Sequence, residues 1–422
     1  MVINNKPQST TPSDLRRVHR GLVLRSVFAS SCGSRTQLAE DMGLSAMAIS
    51  RIIRELISAG LIEETGKRDR NGNPGRRQTD LRVKASGAYV VGLVISAFGH
   101  EVAVFDAMGS PVVNKKLSFD LIRTADDAVD VASAVILSVI DEAQIDTNRV
   151  LGIGIAIAAF VQSATGTVFQ APYLGWKEVK LGQRISELTN IPVIAENIAD
   201  TINMAEQAVG IVRGIGDIFL VHQSVTCGAS YTHQGRVVHG ANFSAGQIGH
   251  FRTGDSQLGC SCGRTDCLNS HASGWSVLAN LGRIESQIFE TDKIEDYAKA
   301  LAELVDENPA PNTSDGEVLF YAGRFLGLTL QQVALIVDPQ AIVLAGKLSE
   351  SSAYVEGCQN AWADSSDTPY YKAPELVVGS VAATRAAGFL ALDSFLYSPQ
   401  LEINDLIVDI GSSEKVRRHG PR

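Results

Sequence analysis

The sequence predicts an α/β protein with a winged helix-turn-helix at its head, on three observations. Before residue 85, three helical segments with a short glycine-containing turn between the last two precede two short strands around a basic loop. From Ala88 onward, apolar runs of strand length alternate with helical segments. In the second half, His250, Cys260, Cys262 and Cys267 crowd into one irregular stretch.

The first helix, over 15–28, places apolar groups at Leu15, Val18, Leu22 and Leu24, near helical spacing. A second starts at Ser34, where Ser34 and Gln37 have capping-box spacing, and stops at Gly43. A third runs from Ser45 to Gly60 and buries Ile49, Ile52, Ile53, Leu56 and Ile57. The face left outside carries Ser45, Ala46, Met47, Ser50, Arg51 and Arg54, small or basic groups that a DNA major groove admits and whose arginines can bond guanine edges or phosphates. Leu61–Glu64 and Thr79–Val83 are expected as the strands of a wing. Its loop, with Asn73, Pro74, Gly75, Arg76 and Arg77, is slim and basic enough to follow the DNA backbone or enter a minor groove. The alternative for this head is a winged module used for protein contacts.

Charge agrees with the DNA reading. Residues 1–84 hold 15 Lys and Arg against 8 Asp and Glu, whereas the remainder holds 22 against 38. A basic head on an acidic body suits a DNA-binding module joined to a sensor. A length of 422 residues and 45% hydrophobic content provide for two or three buried cores. Apolar runs such as Val150–Val161 are too short and glycine-broken to span a membrane, and the first residues, MVINNKPQSTTPSD, lack an apolar signal region, so a cytoplasmic protein is expected. Six cysteines, three of them clustered, fit a reducing compartment.

In the body, Ala88–Ile95, Glu101–Asp106 and Pro111–Leu117 read as successive strands with Gly99 and Gly109 at the turns. A helix follows from Ala125 to about Glu142, with Thr124 as cap and Asp127 in the first turn, and Val150–Ala158 is a buried strand. Helices are expected over 293–305, 316–337 and 382–396, and residues 401–422 are expected to start as a strand or helix and end as a disordered tail. The cysteine stretch outlines a Cys3His zinc site: three thiolates and an imidazole can converge on one tetrahedral ion, with Gly263 easing the turn to Cys267. Four protein ligands leave no open position, so the zinc is expected to be structural.

The same stretch, GQIGH followed by CxCGxxxC and Leu268-Asn269-Ser270-His271, resembles the ROK family of sugar kinases and sugar-responsive repressors. The resemblance implies a two-lobed actin-like (ribonuclease-H-like) body behind the head. The expected partition is a winged helix-turn-helix over 1–84, a first lobe over 85–200, a second with the zinc loop over 201–398, and a tail over 399–422. The family's kinase motifs have decayed. Its Asp-x-Gly-Gly-Thr phosphate loop corresponds to Val94-Ile95-Ser96-Ala97-Phe98, and its second glycine-rich loop to Ser224–Ser230. Its far-end Gly-Gly-Gly corresponds to Ala345-Gly346-Lys347, and the catalytic base of its Glu-Asn-Asp-Ala-Asn to Ile198. Isoleucine accepts no proton from a sugar hydroxyl, so kinase activity is not expected. Asp200 is expected to cap the following helix instead.

For sugar binding, the resemblance points to Asn197, Asn242, Gln247, His250 and Asn269, with amides at 247 and 269 where the kinases have carboxylates. Amides still read hydroxyls, and the lost charge is expected to weaken neutral sugars and admit a phosphorylated or acidic one. Tyr173 stands where the family has an asparagine, and Trp176 is a core candidate. His250, able to serve zinc with one nitrogen and sugar with the other, would couple the loop to ligand. The expected function is a repressor of carbohydrate genes with a double-stranded DNA operator, a sugar or sugar-phosphate effector and a homodimeric or homotetrameric state. An active kinase with a regulatory head, or a DNA-binding scaffold controlled by a protein partner, are the alternatives.

Overall fold

The computed structural model describes residues 12–30, 33–68, 78–117, 124–363, 372–399, 401–403 and 406. The head comprises α1 (Pro12–Ser30), β1 (Gly33–Ser34), α2 (Arg35–Met42), α3 (Ala46–Ser58), β2 (Ile62–Arg68) and β3 (Gln78–Val83). Local capping sets its boundaries. Ser34 Oγ accepts from the Gln37 amide, and Gly43 closes α2 at φ 62°. Ser45 Oγ accepts from Ala48 and opens α3, which buries Ile49, Ile52, Ile53 and Leu56. The strands pair antiparallel in the order β1-β3-β2. The capping box at Ser34 is half realised, because the Gln37 side chain donates to Asp41 instead of reaching back.

The first lobe holds β4 (Tyr89–Ser96), β5 (Gly99–Asp106), β6 (Pro111–Leu117), α4 (Ala125–Glu142), β7 (Val150–Ile157), β8 (Phe160–Gln162), β9 (Thr167–Ala171), β10 (Trp176–Val179), α5 (Leu181–Thr189) and β11 (Val193–Asn197). Its main sheet runs β11-β7-β4-β5-β6, with β4, β5 and β6 antiparallel and β7 and β11 parallel to β4. The connecting α6 (Ile198–Val209) leads to a second lobe of β12 (Ile218–Gln223), β13 (Cys227–His233), β14 (Arg236–Val237), α7 (Asn269–Ala272), α8 (Gly274–Asn280), α9 (Ile294–Glu307), α10 (Ser314–Val337), β15 (Ala341–Ala345), α11 (Ser352–Ala363), β16 (Glu375–Val378) and α12 (Ala383–Ala391). The second sheet, β14-β13-β12-β15-β16, repeats the plan of the first: an antiparallel meander extended by parallel strands.

Between the sheets lies a layer made by α6 and α12, where Ile198, Ile202, Ala386, Ala387 and Phe389 pack with Val94 and Ala156 of one lobe and Leu220 and Val343 of the other. This layer joins the two lobes. Helix α12 lies directly on the first sheet, since a Cβ at Gly154 would fall 2.1 Å from the Ala387 carbonyl oxygen. It continues as a π-helical turn, Leu392–Leu396, into the head. There Leu392, Leu396 and Tyr397 share one core with Val23, Leu24, Ile53, Val90 and Phe105.

Two expectations need correction. On α1, Leu15 and Leu22 are 47% and 41% exposed, and the buried residues are Val23, Leu24 and Val27. The spacing of hydrophobic residues permits either stripe, and the body chooses the one that meets Tyr397, whose ring lies 4.6 Å from that of Phe28. On the third helix Ile57 is only half-buried, because the core takes Ile49, Ile52, Ile53 and Leu56; the segment after 399, expected to start as a strand or helix, buries Leu401, Ile403 and Leu406 in the same core. Helix α10 is long and apolar enough by composition to cross a membrane, yet its Leu319, Leu326 and Leu330 lie in the second lobe's core.

Candidate functional site

The helix-turn-helix exposes the face expected of it. Ala46, Met47, Arg51 and Arg54 are exposed and Ser50 is half-buried, while the opposite stripe of α3 holds the head's core. Arg54 Nε donates to the Ser50 carbonyl at 3.2 Å, and Arg51 leans on Glu55 at 3.5 Å. Arg51 keeps 59% of its side chain in solvent, so that pair is weak and the guanidinium is available to a phosphate or base edge. Arg76 and Arg77 lie outside the described residues.

A cleft of about 1060 Å³ opens between the lobes, floored by the N-terminal ends of α6 and α12. Of the five expected sugar contacts, Asn197, Gln247 and His250 line it. Asn197 is the N-cap of α6: its Oδ1 accepts from the Ala199 amide and its Nδ2 donates to the Ala159 carbonyl, both at 2.8 Å. The cap therefore belongs to Asn197 and not to Asp200, which sits three residues inside the helix where its carboxylate reaches the cleft. Asn242 is exposed outside the lining residues. Asn269 is buried behind the wall, where its Oδ1 accepts from the Cys227 amide at 2.8 Å. The amide at 269 thus braces the second phosphate-loop segment and does not face a ligand.

At the positions where the family's kinases carry their phosphate loops and base, other side chains fill the space. Ile198 is 6% exposed in the interlobe layer beside Val94. Ser96 closes the β4–β5 turn by donating to Gly99 and accepting from Phe98, which lines the cleft. Tyr173 crosses from the first lobe to donate to Thr226 of the second at 2.9 Å and meets Phe289 edge-on. Burial pushes its hydroxyl up to about 12, so it stays a donor. Trp176 is core, as expected.

The cysteine stretch folds as a metal-ligand cluster. The ligand atoms of His250, Cys260, Cys262 and Cys267 all lie within 4.8 Å of one another. His250 Nδ1 is 3.5 Å from Cys260 Sγ, and the Cys262 and Cys267 sulfurs are 3.4 Å apart. The loop wraps them through Cys260 N–H to the Arg264 carbonyl and Gly263 N–H to the Cys260 carbonyl, with Gly263 at φ 85°, a conformation that favours glycine. Arg264 fixes the histidine segment by donating to the His250 carbonyl at 2.6 Å. With Nδ1 turned to the sulfurs, the other imidazole edge is the one left for the cleft. Three thiols and an imidazole at this separation fit a tetrahedral, thiophilic metal ion.

A second polar cluster escaped sequence reasoning. His239, from the segment after β14, places Nε2 2.8 Å from Glu196 Oε2. Ser163 of the β8–β9 turn donates to the same carboxylate. Asp200 stands beside them, and burial followed by the neighbouring Glu196 pushes its carboxyl up to about 7. The hydrogen bond to Glu196 raises His239 above the usual histidine range. The available signal was the closeness of Glu196 and Asp200 in the chain, which a strand-to-helix turn at Asn197 brings together. His239 carried none.

A two-lobed body with a sugar-kinase-like cleft, a thiolate cluster on its wall and a helix-turn-helix at its head defines the class: residues 91–384 match the ROK family model, and the chain belongs to that family. Its relatives include a xylose repressor of Caldicellulosiruptor bescii, 22% identical over 340 residues that cover 79% of this chain and 84% of that one. The DNA-binding transcriptional dual regulator NagC of Escherichia coli is 23% identical over 83% of this chain and 86% of its own. Among solved structures, a ROK family transcriptional regulator described as a homolog of the E. coli MLC protein superposes with a TM-score of 0.76 at 23% identity, covering 93% of this chain and 99% of that one. A ROK hexokinase from Thermus thermophilus covers 72% of this chain and 97% of its own, at TM-score 0.56 and 20% identity. These likenesses establish the fold, and the regulator covers more of this chain than the hexokinase does.

Proposed function

We propose that this chain is a DNA-binding repressor of carbohydrate genes, released by a sugar, and that it has lost kinase activity. The observation that carries the reading is α12, whose first residues, Ala383 and Thr384, line the cleft and whose continuation, Leu392–Leu396, packs into the core of the helix-turn-helix. A ligand that alters the angle between the lobes moves this helix, and with it the two heads of a dimer. Names of the relatives, a xylose repressor and a dual regulator, support the same reading.

Electrostatics narrows the effector. The lysines lining the cleft are Lys116 and Lys347; Lys347 is engaged by Asp306 and Glu350 at 2.8 and 2.7 Å, and the His239 imidazole by Glu196 at 2.8 Å. Near Asn197, Gln247 and His250 the charged groups are Glu196 and Asp200. An uncharged or amino sugar suits that wall better than a sugar phosphate. We assign zinc to His250, Cys260, Cys262 and Cys267 as a structural ion that braces this wall. We assign the homodimer contact to the exposed face of α10, where Tyr321, Leu328 and Leu335 recur every seven residues at 61%, 45% and 67% exposure. We retain residues 1–84 as the DNA-binding unit.

The test is binding of the purified protein to its own promoter region, titrated with pentoses, hexoses, amino sugars and their phosphates. Release by a neutral or amino sugar is expected. Tight binding that no compound disturbs would favour a scaffold controlled by a protein partner, and phosphorylation of any sugar would overturn the loss of kinase activity.

A further inference from the structure

Glu196 is 3% exposed at the end of β11, Asp200 lies one turn further along α6, and His239 comes from the facing lobe. Their ligand atoms lie within 4.8 Å of one another. Among the described residues, Glu196 hydrogen-bonds Asn197, Ser163 and His239, and neither carboxylate pairs with a lysine or arginine. Two carboxylates held together out of water repel, and a cation between them relieves the repulsion.

The arrangement is not that of a nucleophile triad. Ser163 Oγ and Glu196 Oε2 face the same imidazole nitrogen, Nε2 of His239, at 3.5 and 2.8 Å, so the ring cannot pass a proton from one to the other through its two nitrogens. Donors converging on one point suit an ion instead. Outer contacts hold the donors in place: Glu196 Oε1 accepts from the Asn197 amide at 2.8 Å, and Ser230 lies beside Asp200 and favours its charged form. Asn203, fully buried one turn along α6, donates to that same serine at 3.1 Å, and its Oδ1 has no partner among the described residues.

We propose that Glu196, Asp200 and His239, with the Ser163 hydroxyl beside them, form a binding site for a divalent first-row cation that ties the two lobes across the cleft. Mixed carboxylate and imidazole donors suit manganese, iron or zinc, while the thiolate cluster claims the softer share, so the two sites sort metals by ligand type. The assignment does not rest on the repressor reading, because its readout is metal binding.

The test titrates Mn2+ into the full-length, zinc-loaded protein and follows free Mn2+ by electron paramagnetic resonance. One saturable Mn2+ per chain is expected, with affinity reduced by at least about tenfold in Glu196→Gln and in His239→Ala at unchanged zinc content. Absence of saturable binding at millimolar Mn2+, or affinity retained in both variants, overturns the site. Should His239→Ala fail to fold by circular dichroism, His239→Gln, which keeps a donor toward Glu196, gives the same comparison. Solution scattering tests the tie: Mn2+ should contract the wild type and leave the His239 variant unchanged, and no contraction of the wild type refutes it.

Discussion

Asp200 shows how burial turns one side chain into a pH-dependent cost. Its carboxyl titrates near 7 in the fold, above the ordinary value of 3.8, because burial and then Glu196 oppose its charge, with Ser230 and His239 partly offsetting them. A folded value above the unfolded one means that the proton favours the native state. No penalty exists below about 4, and stability is lost as pH rises from there through about 7. At about 1.4 kcal/mol per unit, and with the field shared with Glu196 and His239, Asp200→Asn should raise stability at pH 8 by on the order of 2 kcal/mol and leave it unchanged near pH 4. Denaturant melts at the two pH values, in zinc buffer without other divalent ions, check this; an equal effect at both would place its origin in packing. On the DNA face, Arg51 is free enough of Glu55 to contact a base edge. Its change to alanine should cost about 1–3 kcal/mol on the operator and far less on random DNA. Equal losses on both in a binding titration would make it a phosphate contact.

At the level of elements, the metal loop and the interlobe helices were unequally legible. The loop was readable because all its ligands fall between His250 and Cys267, and the caps at Ser34, Ser45 and Thr124 because a cap acts within three residues. Contacts made across the fold were not readable. His239 meets Glu196 over 43 positions, the α1 stripe is selected by Tyr397, and Asn269 turns inward because the Cys227 amide needs an acceptor. Each depends on a partner whose position only the assembled lobes define. The loop also supports the α7–α8 wall through Leu268, whose amide donates to the Phe251 carbonyl and whose side chain is fully buried. Stripping the metal should therefore lower the melting temperature by several degrees and raise hydrogen exchange over 250–272 while sparing β4 and β7. Exchange that stays protected across the loop after chelation would show that the hydrogen bonds alone hold it.

The whole molecule is joined by a docked head and not by a slack linker. Gly21 of α1 lies so close to the segment that follows α12 that a Cβ there would fall 2.1 Å from the Ser398 carbonyl oxygen. Arg25 reaches Asp393 at 2.6 Å and the Tyr397 carbonyl at 3.1 Å, and Arg149 donates to the Gly87 carbonyl at 2.6 Å beneath the wing. Because α12 begins at the cleft, the proposed repressor would couple ligand and operator through these contacts. The coupling must be reciprocal: the factor by which a sugar weakens operator binding equals the factor by which operator weakens sugar binding, typically 1–3 kcal/mol in free energy. Replacing Arg25 and Phe28 together by alanine loosens the head from the end of α12 without touching Arg51 or the cleft. Operator affinity without sugar should then change by less than the wild-type coupling, while both coupling factors shrink together toward one. Titrating sugar with and without operator, and operator with and without sugar, gives both factors for each protein. Undiminished coupling in the double variant would mean that the signal reaches the heads by a route other than α12.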